Sequence, residues 1–277
     1  MFIAIYFLAF FIMLYIKNKS ELFYFPPITK KYSISVLVPA FNEEKTIAST
    51  IEAIFASEYP IKELIVLNDG SKDNTRKVVE KLMKKYSALK LINKENSGKA
   101  DSLNQGIKLA TGELIAVVDA DSYPAKDSFR KLVGFFDDKK VGVATCFITP
   151  KNKSRFLEKM QVIEYSVIAF TRKLLGFVDA IYVTPGPLAL YRKSVLLEIG
   201  GFDKTNMTED IEATWHIVHA GYERKMTLSS QVTTTVPTKF KAWFNQRKRW
   251  SIGGQQCIMK YKKHFLRRGM LGLFILP

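Results

Sequence analysis

Acidic and turn-forming residues follow three apolar runs of this sequence, each at the point where the run ends. Their sequences are NEE at 42–44, NDGS at 68–71 and DAD at 119–121. Each motif is ordinary by itself, but three of them after apolar runs predict one converging acidic pocket. An Asp-x-Asp pair offers two carboxylates to a hard cation, and Mg²⁺ or Mn²⁺ bound there can bridge to a diphosphate.

Two further sites have residue types suited to phosphate binding and proton transfer. Gly98 and Lys99 open a predicted helix, whose free backbone N–H groups and ammonium suit a phosphate. Asp210 follows Met207-Thr208-Glu209 in a predicted loop, where it can accept the proton of a hydroxyl. An acid at this place also favours the start of a helix. From residue types alone, both interpretations of Asp210 stay open.

Buried strands and amphipathic helices must position these residues. Stripes of apolar residues that begin at Ile47, Val78 and Ala100 predict helices between the apolar runs. This alternation predicts an α/β fold with a mainly parallel sheet, helices on both faces, and ligands at the carboxyl ends of the strands. The predicted strands lie at residues 34–39, 63–67, 89–92 and 114–118.

A long amphipathic helix is predicted in the second half of the chain. Its apolar residues recur in alternating steps of four and three, which is typical of one helix face. The pattern does not decide whether this face packs on the sheet or lies on a membrane. The residues are Phe156, Met160, Ile163, Val167, Phe170, Leu174 and Phe177.

Both ends of the chain have the composition of membrane segments. Residues 1–16 contain no charged side chain, and lysines at 17, 19, 30 and 31 follow them. We predict a transmembrane anchor with the remainder in the cytoplasm, by the positive-inside rule; a secretory signal or a buried core helix are the alternatives. At the other end, a basic stretch leads into the apolar residues 269–277, which predict the start of a second membrane helix.

Net positive charge is concentrated in the second half of the chain. The net charge is +16, and no Asp or Glu follows Glu223. Such a field attracts phosphates, nucleic acid or anionic lipid. The apolar ends favour an anionic membrane over nucleic acid as the partner.

Six motifs in a fixed order resemble the family-2 inverting glycosyltransferases of the GT-A fold. The resemblance covers residues 35–277, and its Q-x-x-R-W motif marks the processive membrane branch of cellulose, chitin, hyaluronan and poly-N-acetylglucosamine synthases. Residues 184–203, TPGPLALYRKSVLLEIGGFD, look closest to the last two. The motifs are VPAFNEE (38–44), NDGS (68–71), SGKADSLN (97–104), DAD (119–121), TED (208–210) and QRKRW (246–250).

The resemblance implies a role for each matching residue. Asp121 matches the metal ligand and Asp210 the general base, and Glu209 lies in the acceptor site. Gln246, Arg249 and Trp250 match catalytic positions that hold the diphosphate and cap the acceptor. The nucleotide-binding positions match Pro39, Phe41, Glu43, Asp69, Lys99 and Asp119. Six other basic residues of the tail are expected to face lipid headgroups; they are Arg247, Lys260, Lys262, Lys263, Arg267 and Arg268.

The resemblance also implies a function. A hexosyltransferase of the cell membrane, with its catalytic domain in the cytoplasm, is expected to move a sugar from a UDP-sugar to a growing polysaccharide with Mg²⁺ or Mn²⁺. The sugar is expected to be N-acetylglucosamine or a related hexose. One base and no second nucleophile imply direct displacement with inversion. The alternatives are a single transfer to a polyprenyl-phosphate or glycolipid acceptor, and a basic membrane-surface or nucleic-acid-binding protein without activity.

Three regions are expected from these assignments. Residues 1–20 form the anchor, and residues 33–235 form the glycosyltransferase domain, with a nucleotide-binding half at 33–125 and an acceptor half at 126–235. Residues 236–277 form the interfacial Q-x-x-R-W helix and the start of the second membrane helix.

Overall fold

The structure, a computed structural model, describes residues 2–264. The predicted second membrane helix at 269–277, together with Arg267 and Arg268, lies outside this range. The strands are β1 (Ile34–Ala40), β2 (Glu63–Asp69), β3 (Leu89–Lys94), β4 (Leu114–Val117), β5 (Ser122–Pro124), β6 (Val141–Pro150), β7 (Ala189–Arg192) and β8 (Glu223–Thr234). The helices are α1 (Phe2–Asn18), α2 (Ile47–Phe55), α3 (Thr75–Met83), α4 (Lys99–Leu109), α5 (Ser128–Val133), α6 (Phe156–Gly176), α7 (Lys193–Glu198), α8 (Glu209–His219) and α9 (Phe240–Lys260).

The strands form one sheet in the order β3-β2-β1-β4-β7-β6-β8-β5. Its first half is parallel, as predicted. In the second half β7 runs antiparallel to both β4 and β6, and β5 runs antiparallel to β8. Strands β6 and β8 run parallel, so the sheet is mixed, and the prediction of a mainly parallel sheet holds for the first half and only in part for the second. The second-half strands escaped the prediction because they are short or interrupted by polar residues, whereas β1, β2 and β4 are largely continuous apolar runs.

Helices cover both faces of the sheet, as predicted. Alternate residues of a strand point to opposite faces, so Val36 and Val38 enter one core cluster and Leu37 enters the other. Residues of α2, α3 and α5 fill the first cluster. Residues of α4, α7 and α8 fill the second. This double covering explains why strands such as β1 and β2 are apolar on both faces.

The predicted long helix is α6, and one of its sides packs on the sheet while the other is exposed. It packs on β6 and β8, while Phe156 and Ile163 on the apolar stripe remain 80% and 61% exposed. The first helix, α1, packs on α6, where the rings of Tyr15 and Phe170 lie 5.8 Å apart. In residues 2–264 no helix combines the length and the apolar character needed to span a bilayer.

A buried carboxylate forms hydrogen bonds at the amino ends of the central strands. Glu63, at the start of β2, is 3% exposed. Its oxygens accept hydrogen bonds from Ser35 Oγ at 2.6 Å, from the backbone N–H of Thr111 at 2.6 Å and from Lys90 Nζ at 2.6 Å. Burial alone raises its pKa, but these donors outweigh burial and lower the pKa of Glu63 to about 2.

We predict that Glu63→Gln lowers the free energy of unfolding at pH 7 by about 2 kcal/mol, because a neutral amide loses charge-assisted hydrogen bonds. The folded pKa is depressed, so the contribution of the ionised carboxylate is complete above pH 4.5 and is lost as the pH falls toward 2. Urea unfolding at pH 7 and below pH 4 measures both effects. The exposed Glu52→Gln is the matched control and should change stability by less than about 0.5 kcal/mol. Equal effects of the two variants at pH 7 would contradict the assignment.

Candidate active site

One cavity of about 980 Å³ lies beyond the carboxyl ends of the parallel strands. The structure brings together there every residue that the sequence analysis selected as a site residue. Loops after β1, β2 and β4 supply one wall, and α6, α8 and α9 supply the other. The selected residues that line it are Pro39, Phe41, Glu43, Asp69, Lys99, Asp119, Asp121, Glu209, Asp210, Gln246, Arg249 and Trp250.

Asp69, at the end of β2, holds the loop that leads into α4. Its two carboxylate oxygens accept hydrogen bonds from the backbone N–H groups of Ser97 and Gly98, each at 2.9 Å, and one of them also contacts the ammonium of Lys94. Burial raises its pKa, but these donors outweigh burial and keep the pKa of Asp69 below its usual value. Asp69 therefore fixes the position at which Lys99 begins α4.

Lys99 lies among acidic side chains from two separate segments, the loop after β4 and the start of α8. Its Nζ is 2.7 Å from Asp119 Oδ1 and 2.7 Å from Glu209 Oε1. Burial by itself lowers its pKa, but the charges of Asp119, Glu209 and Asp210 raise the pKa of Lys99 well above the usual value. Gly186 lies directly over this ammonium, because a Cβ there would be 2.7 Å from Nζ. The lysine is thus a fixed positive charge at the centre of the cavity.

The Asp-x-Asp pair after β4 is rich in negative charge. Burial, followed by the charges of Asp119 and Glu43, raises the pKa of Asp121 to about 6. Its Oδ1 accepts only long hydrogen bonds, from Ser122 Oγ at 3.3 Å and Thr234 Oγ1 at 3.4 Å. Within the described part of the chain, no three His, Cys, Asp or Glu side chains are grouped as a complete metal site. The donor set fits Mg²⁺ or Mn²⁺, which commonly use one or two carboxylates and take their other ligands from phosphate and water.

Asp210 lies in the first turn of α8 and not in a loop, which corrects the sequence-based expectation. Its Oδ1 accepts a hydrogen bond from the Ile211 N–H at 2.9 Å, and its Oδ2 accepts one from the Gly186 N–H at 3.3 Å. Burial and the neighbouring Glu209 carboxylate raise the pKa of Asp210 to about 6. A buried carboxylate with this pKa, facing a cavity, can accept a proton near neutral pH.

The Q-x-x-R-W residues lie on α9, which closes the cavity. Gln246, Arg249 and Trp250 line it. The ring of Trp250 meets the ring of Tyr165 edge to face at 6.4 Å. The charge of Arg249 is one of the influences that lower the pKa of Glu209, after Lys99. This end of the cavity therefore combines aromatic faces with a guanidinium.

Arg247 does not face outward, contrary to the expectation for the basic tail. Its Nε donates to Glu164 Oε1 of α6 at 3.0 Å. Its guanidinium also lies 4.5 Å from the ring centre of Trp250. The ion pair with Glu164 joins α9 to α6, and the cation–π contact with Trp250 holds the Arg247 side chain in this position.

Lys260 is also engaged within the protein. Its Nζ lies 2.6 Å from Asp203 Oδ2 and 2.6 Å from Glu212 Oε1. Lys260 remains exposed despite these two ion pairs, so the expectation that it faces lipid headgroups stays a prediction. Lys262 and Lys263 are exposed, as expected.

Four residues of α6 that were not selected from the sequence also line the cavity; they are Tyr165, Ile168, Ala169 and Arg172. Tyr165 and Arg172 are two helical turns apart and lie on the same side of α6. This side is away from the exposed apolar stripe that drew attention to the helix. A polar or aromatic residue repeating every seven positions opposite that stripe is the signal that could have found them.

The chain resembles known glycosyltransferases in sequence. The profile described as "Glycosyl transferase family 2" matches residues 35–200. Poly-beta-1,6-N-acetyl-D-glucosamine synthase of Staphylococcus epidermidis is 34% identical over 246 residues, which are 88% of this chain and 60% of the relative. The synthase of that name from Staphylococcus aureus strain COL is 33% identical over 82% of this chain and 56% of the relative. The chain thus spans about three fifths of the length of these relatives.

Solved structures share the fold. A mannosyltransferase from Pyrobaculum calidifontis, in complex with GDP-Man and Mn²⁺, aligns with a TM-score of 0.76 and 24% identity over 92% of this chain and 72% of that one. TarS of S. aureus, in complex with UDP-GlcNAc, aligns with a TM-score of 0.57 and 21% identity over 75% of this chain and 59% of that one. Both likenesses concern the α/β fold with its mixed sheet.

A glycine of α9 lets the helix approach the start of α8, and we predict that Gly253→Ala destabilises the protein. A Cβ at Gly253 would collide with the Thr208 side chain, whose Cγ2 would be 2.6 Å away. Thr208 is buried, so α9 must move, at a cost of about 1–3 kcal/mol. Gly254 is the matched control, because a Cβ there meets nothing within 4 Å and alanine favours a helix by about 1 kcal/mol over glycine. Chemical denaturation should separate the two variants; equal stabilities would show that α8 and α9 are not in contact here.

Proposed function

We propose that this chain, which belongs to glycosyl transferase family 2, transfers N-acetylglucosamine from UDP-N-acetylglucosamine to a growing polysaccharide. The observation that carries the proposal is the single cavity in which Lys99, Asp121, Asp210 and Trp250 face one another. The names of the synthases that it resembles support the choice of sugar and of a polymeric product.

The donor fits the wall formed by the strand loops. The ammonium of Lys99 is suited to the diphosphate, and Gly98 at the start of α4 lies beside it. Pro39, Phe41 and the carboxylates of this wall are the proposed surroundings of the nucleoside. A neighbour in fold that was solved with UDP-GlcNAc supports a UDP-linked donor.

Asp121 and Asp119 are the residues that would hold Mg²⁺ or Mn²⁺. When bound there, the cation supplies positive charge that stabilises the departing diphosphate. The surroundings of Asp121 support this assignment. Its carboxylate accepts only long hydrogen bonds, and burial and neighbouring carboxylates raise its pKa, so its negative charge is poorly compensated within the protein.

Asp210 is the proposed general base. It accepts the proton of the acceptor hydroxyl while the hydroxyl oxygen forms a bond to the anomeric carbon of the sugar. The bond from that carbon to the phosphate oxygen breaks, and its electron pair leaves on UDP. One displacement inverts the configuration of the anomeric carbon. The backbone N–H of Gly186 and that of Ile211 hold the Asp210 carboxylate in place for this step.

Gln246, Arg249 and Trp250 are the proposed residues of the acceptor end. The guanidinium of Arg249 can offset charge on the leaving diphosphate. Trp250 offers a flat apolar face to a sugar ring. Glu209 shares Lys99 with Asp119 and so sets the position of the base beside it.

A cell-membrane location with the catalytic domain in the cytoplasm is also proposed. The apolar side chains of α1 and the stripe of α6 support it, since Leu8, Met13, Phe156 and Ile163 are exposed. Exposed apolar surface of this extent is typical of contact with lipid.

The first test of this function is a donor panel. We predict that the purified chain releases UDP from UDP-N-acetylglucosamine in the presence of Mn²⁺ and extends a β-1,6-linked N-acetylglucosamine oligosaccharide by several sugars. Excess chelator should abolish release, and so should Asp121→Asn, because the diphosphate charge is then not offset. Asp138→Asn, the same change outside the cavity, is the matched control. An assay of UDP release measures donor cleavage, and mass spectrometry of the products measures extension of the oligosaccharide.

Three results of that panel would refute parts of the proposal. No UDP release from any UDP-sugar excludes the donor class. Products longer by one sugar only indicate a single transfer. A full rate in chelator excludes the metal.

The second test concerns the base. We predict that Asp210→Asn lowers kcat by about 10²–10⁴ and changes UDP affinity less than twofold. In the wild type, kcat/KM should fall as the pH drops through about 6, because a protonated Asp210 cannot accept the hydroxyl proton. Saturating Mn²⁺ keeps Asp121 ionised during this titration. If the variant keeps its kcat but loses UDP affinity, Asp210 belongs to donor binding.

A further inference from the structure

Arg172 is a buried cation without a partner in the wall of the cavity. It is 5% exposed, and its Nε is shielded from solvent without a hydrogen-bond partner. Across the described residues, no side chain or carbonyl forms a hydrogen bond or ion pair with its guanidinium. Its cavity-facing donors are therefore available to a ligand.

Other arginines of this chain with little exposure are satisfied by the protein itself. Arg224 donates to the carbonyl oxygens of Ile181 and Asp179 at 3.2 and 2.8 Å, and Arg192 donates to the Phe136 carbonyl at 2.8 Å. A buried charge without such partners is costly. The described residues satisfy the buried guanidinium of Arg224 but leave that of Arg172 open, which points to a ligand in the cavity as the missing acceptor.

The position of Arg172 separates it from the donor wall. It lies on α6, which packs on β6 and β8, whereas the proposed donor groups follow β1, β2 and β4 at the other side of the sheet. The groups that favour its charged form, after burial disfavours it, include Tyr182, Asp210 and Tyr165. Arg172 therefore lies in the part of the cavity that α6 lines, within electrostatic reach of the proposed base.

The surroundings of Arg172 have the chemistry of a sugar site. Tyr165 lies two turns earlier on α6 and is in ring contact with Trp250. Aromatic faces bind the apolar face of a sugar ring, and a guanidinium supplies several N–H donors in one plane. Sugar hydroxyl groups and an acetamido carbonyl group supply the oxygen acceptors that such a plane requires.

We propose that Arg172 binds an oxygen atom of the acceptor's terminal sugar and holds its hydroxyl toward Asp210. This inference rests on the proposed function and names a residue of its acceptor site. Arg172 fixes the acceptor and does not contact the donor.

The experiment is an acceptor titration that does not depend on turnover. The full chain is saturated with UDP and Mn²⁺, and a β-1,6-linked N-acetylglucosamine oligosaccharide is added in a calorimeter. Arg172→Met should weaken oligosaccharide binding about ten- to hundredfold, the effect of losing a charged hydrogen-bond donor, and change UDP affinity less than twofold. Arg172→Lys keeps the charge but not the planar donors, and should lie between wild type and Arg172→Met.

Lys173→Met is the matched control. This neighbour is an equally long cation with little exposure, but it donates to the Met226 carbonyl at 2.9 Å and lines a different cavity. It should bind the oligosaccharide like the wild type. In the transfer assay, Arg172→Lys should raise the acceptor KM more than it lowers kcat. A general loss of structure would instead lower kcat without this selective effect on the acceptor KM.

Each result decides the proposal. Unchanged oligosaccharide binding by Arg172→Met, or by Arg172→Lys if the methionine variant does not fold, overturns it. Loss of UDP affinity in the same variants places Arg172 at the donor and also overturns it. Failure of the wild type to release UDP from any UDP-sugar refutes the proposed function instead, while the oligosaccharide titration still reports on Arg172.

Discussion

Electrostatic balance around Lys99 is the constraint on which the cavity depends. One ammonium lies at 2.7 Å from both Asp119 and Glu209, and Asp210 and Asp121 add negative charge nearby. One cation cannot offset these carboxylates and a diphosphate as well. A divalent cation held by Asp121 would offset part of this excess and would leave Lys99 free to contact phosphate.

The mixed sheet is what assembles this cluster. Lys99 begins α4 and Asp119 follows β4, so the parallel half already brings them to one edge. Strand β7 runs antiparallel to β4, with Ala189 opposite Val117. The segment before β7 therefore arrives at the same edge, where Gly186 covers Lys99 and binds Asp210. A fully parallel sheet would place that segment at the opposite end.

The sequence predicts the cavity wall formed by the strand loops better than the wall formed by the helices, for physical reasons. Strands β1, β2 and β4 are buried on both faces, so their apolar runs and the acidic residues after them are visible in the sequence. Strand β7 has only four residues, and its direction depends on tertiary packing. The position of Arg247 depends on Glu164 of another helix, and the burial of Arg172 depends on how α6 meets the sheet. Charge alone therefore predicted an outward position for Arg247, which its partner Glu164 holds against α6.

A crystal structure of the UDP–Mn²⁺ complex, with anomalous scattering to locate the manganese, tests the electrostatic account most directly. The account predicts Mn²⁺ on Asp121, bridging to the diphosphate, with the Lys99 ammonium moved from Glu209 toward phosphate. The Asp119, Glu209 and Asp210 carboxylates should remain at the same edge of the sheet. Manganese bound away from Asp121, or a diphosphate that does not reach Lys99, would contradict it.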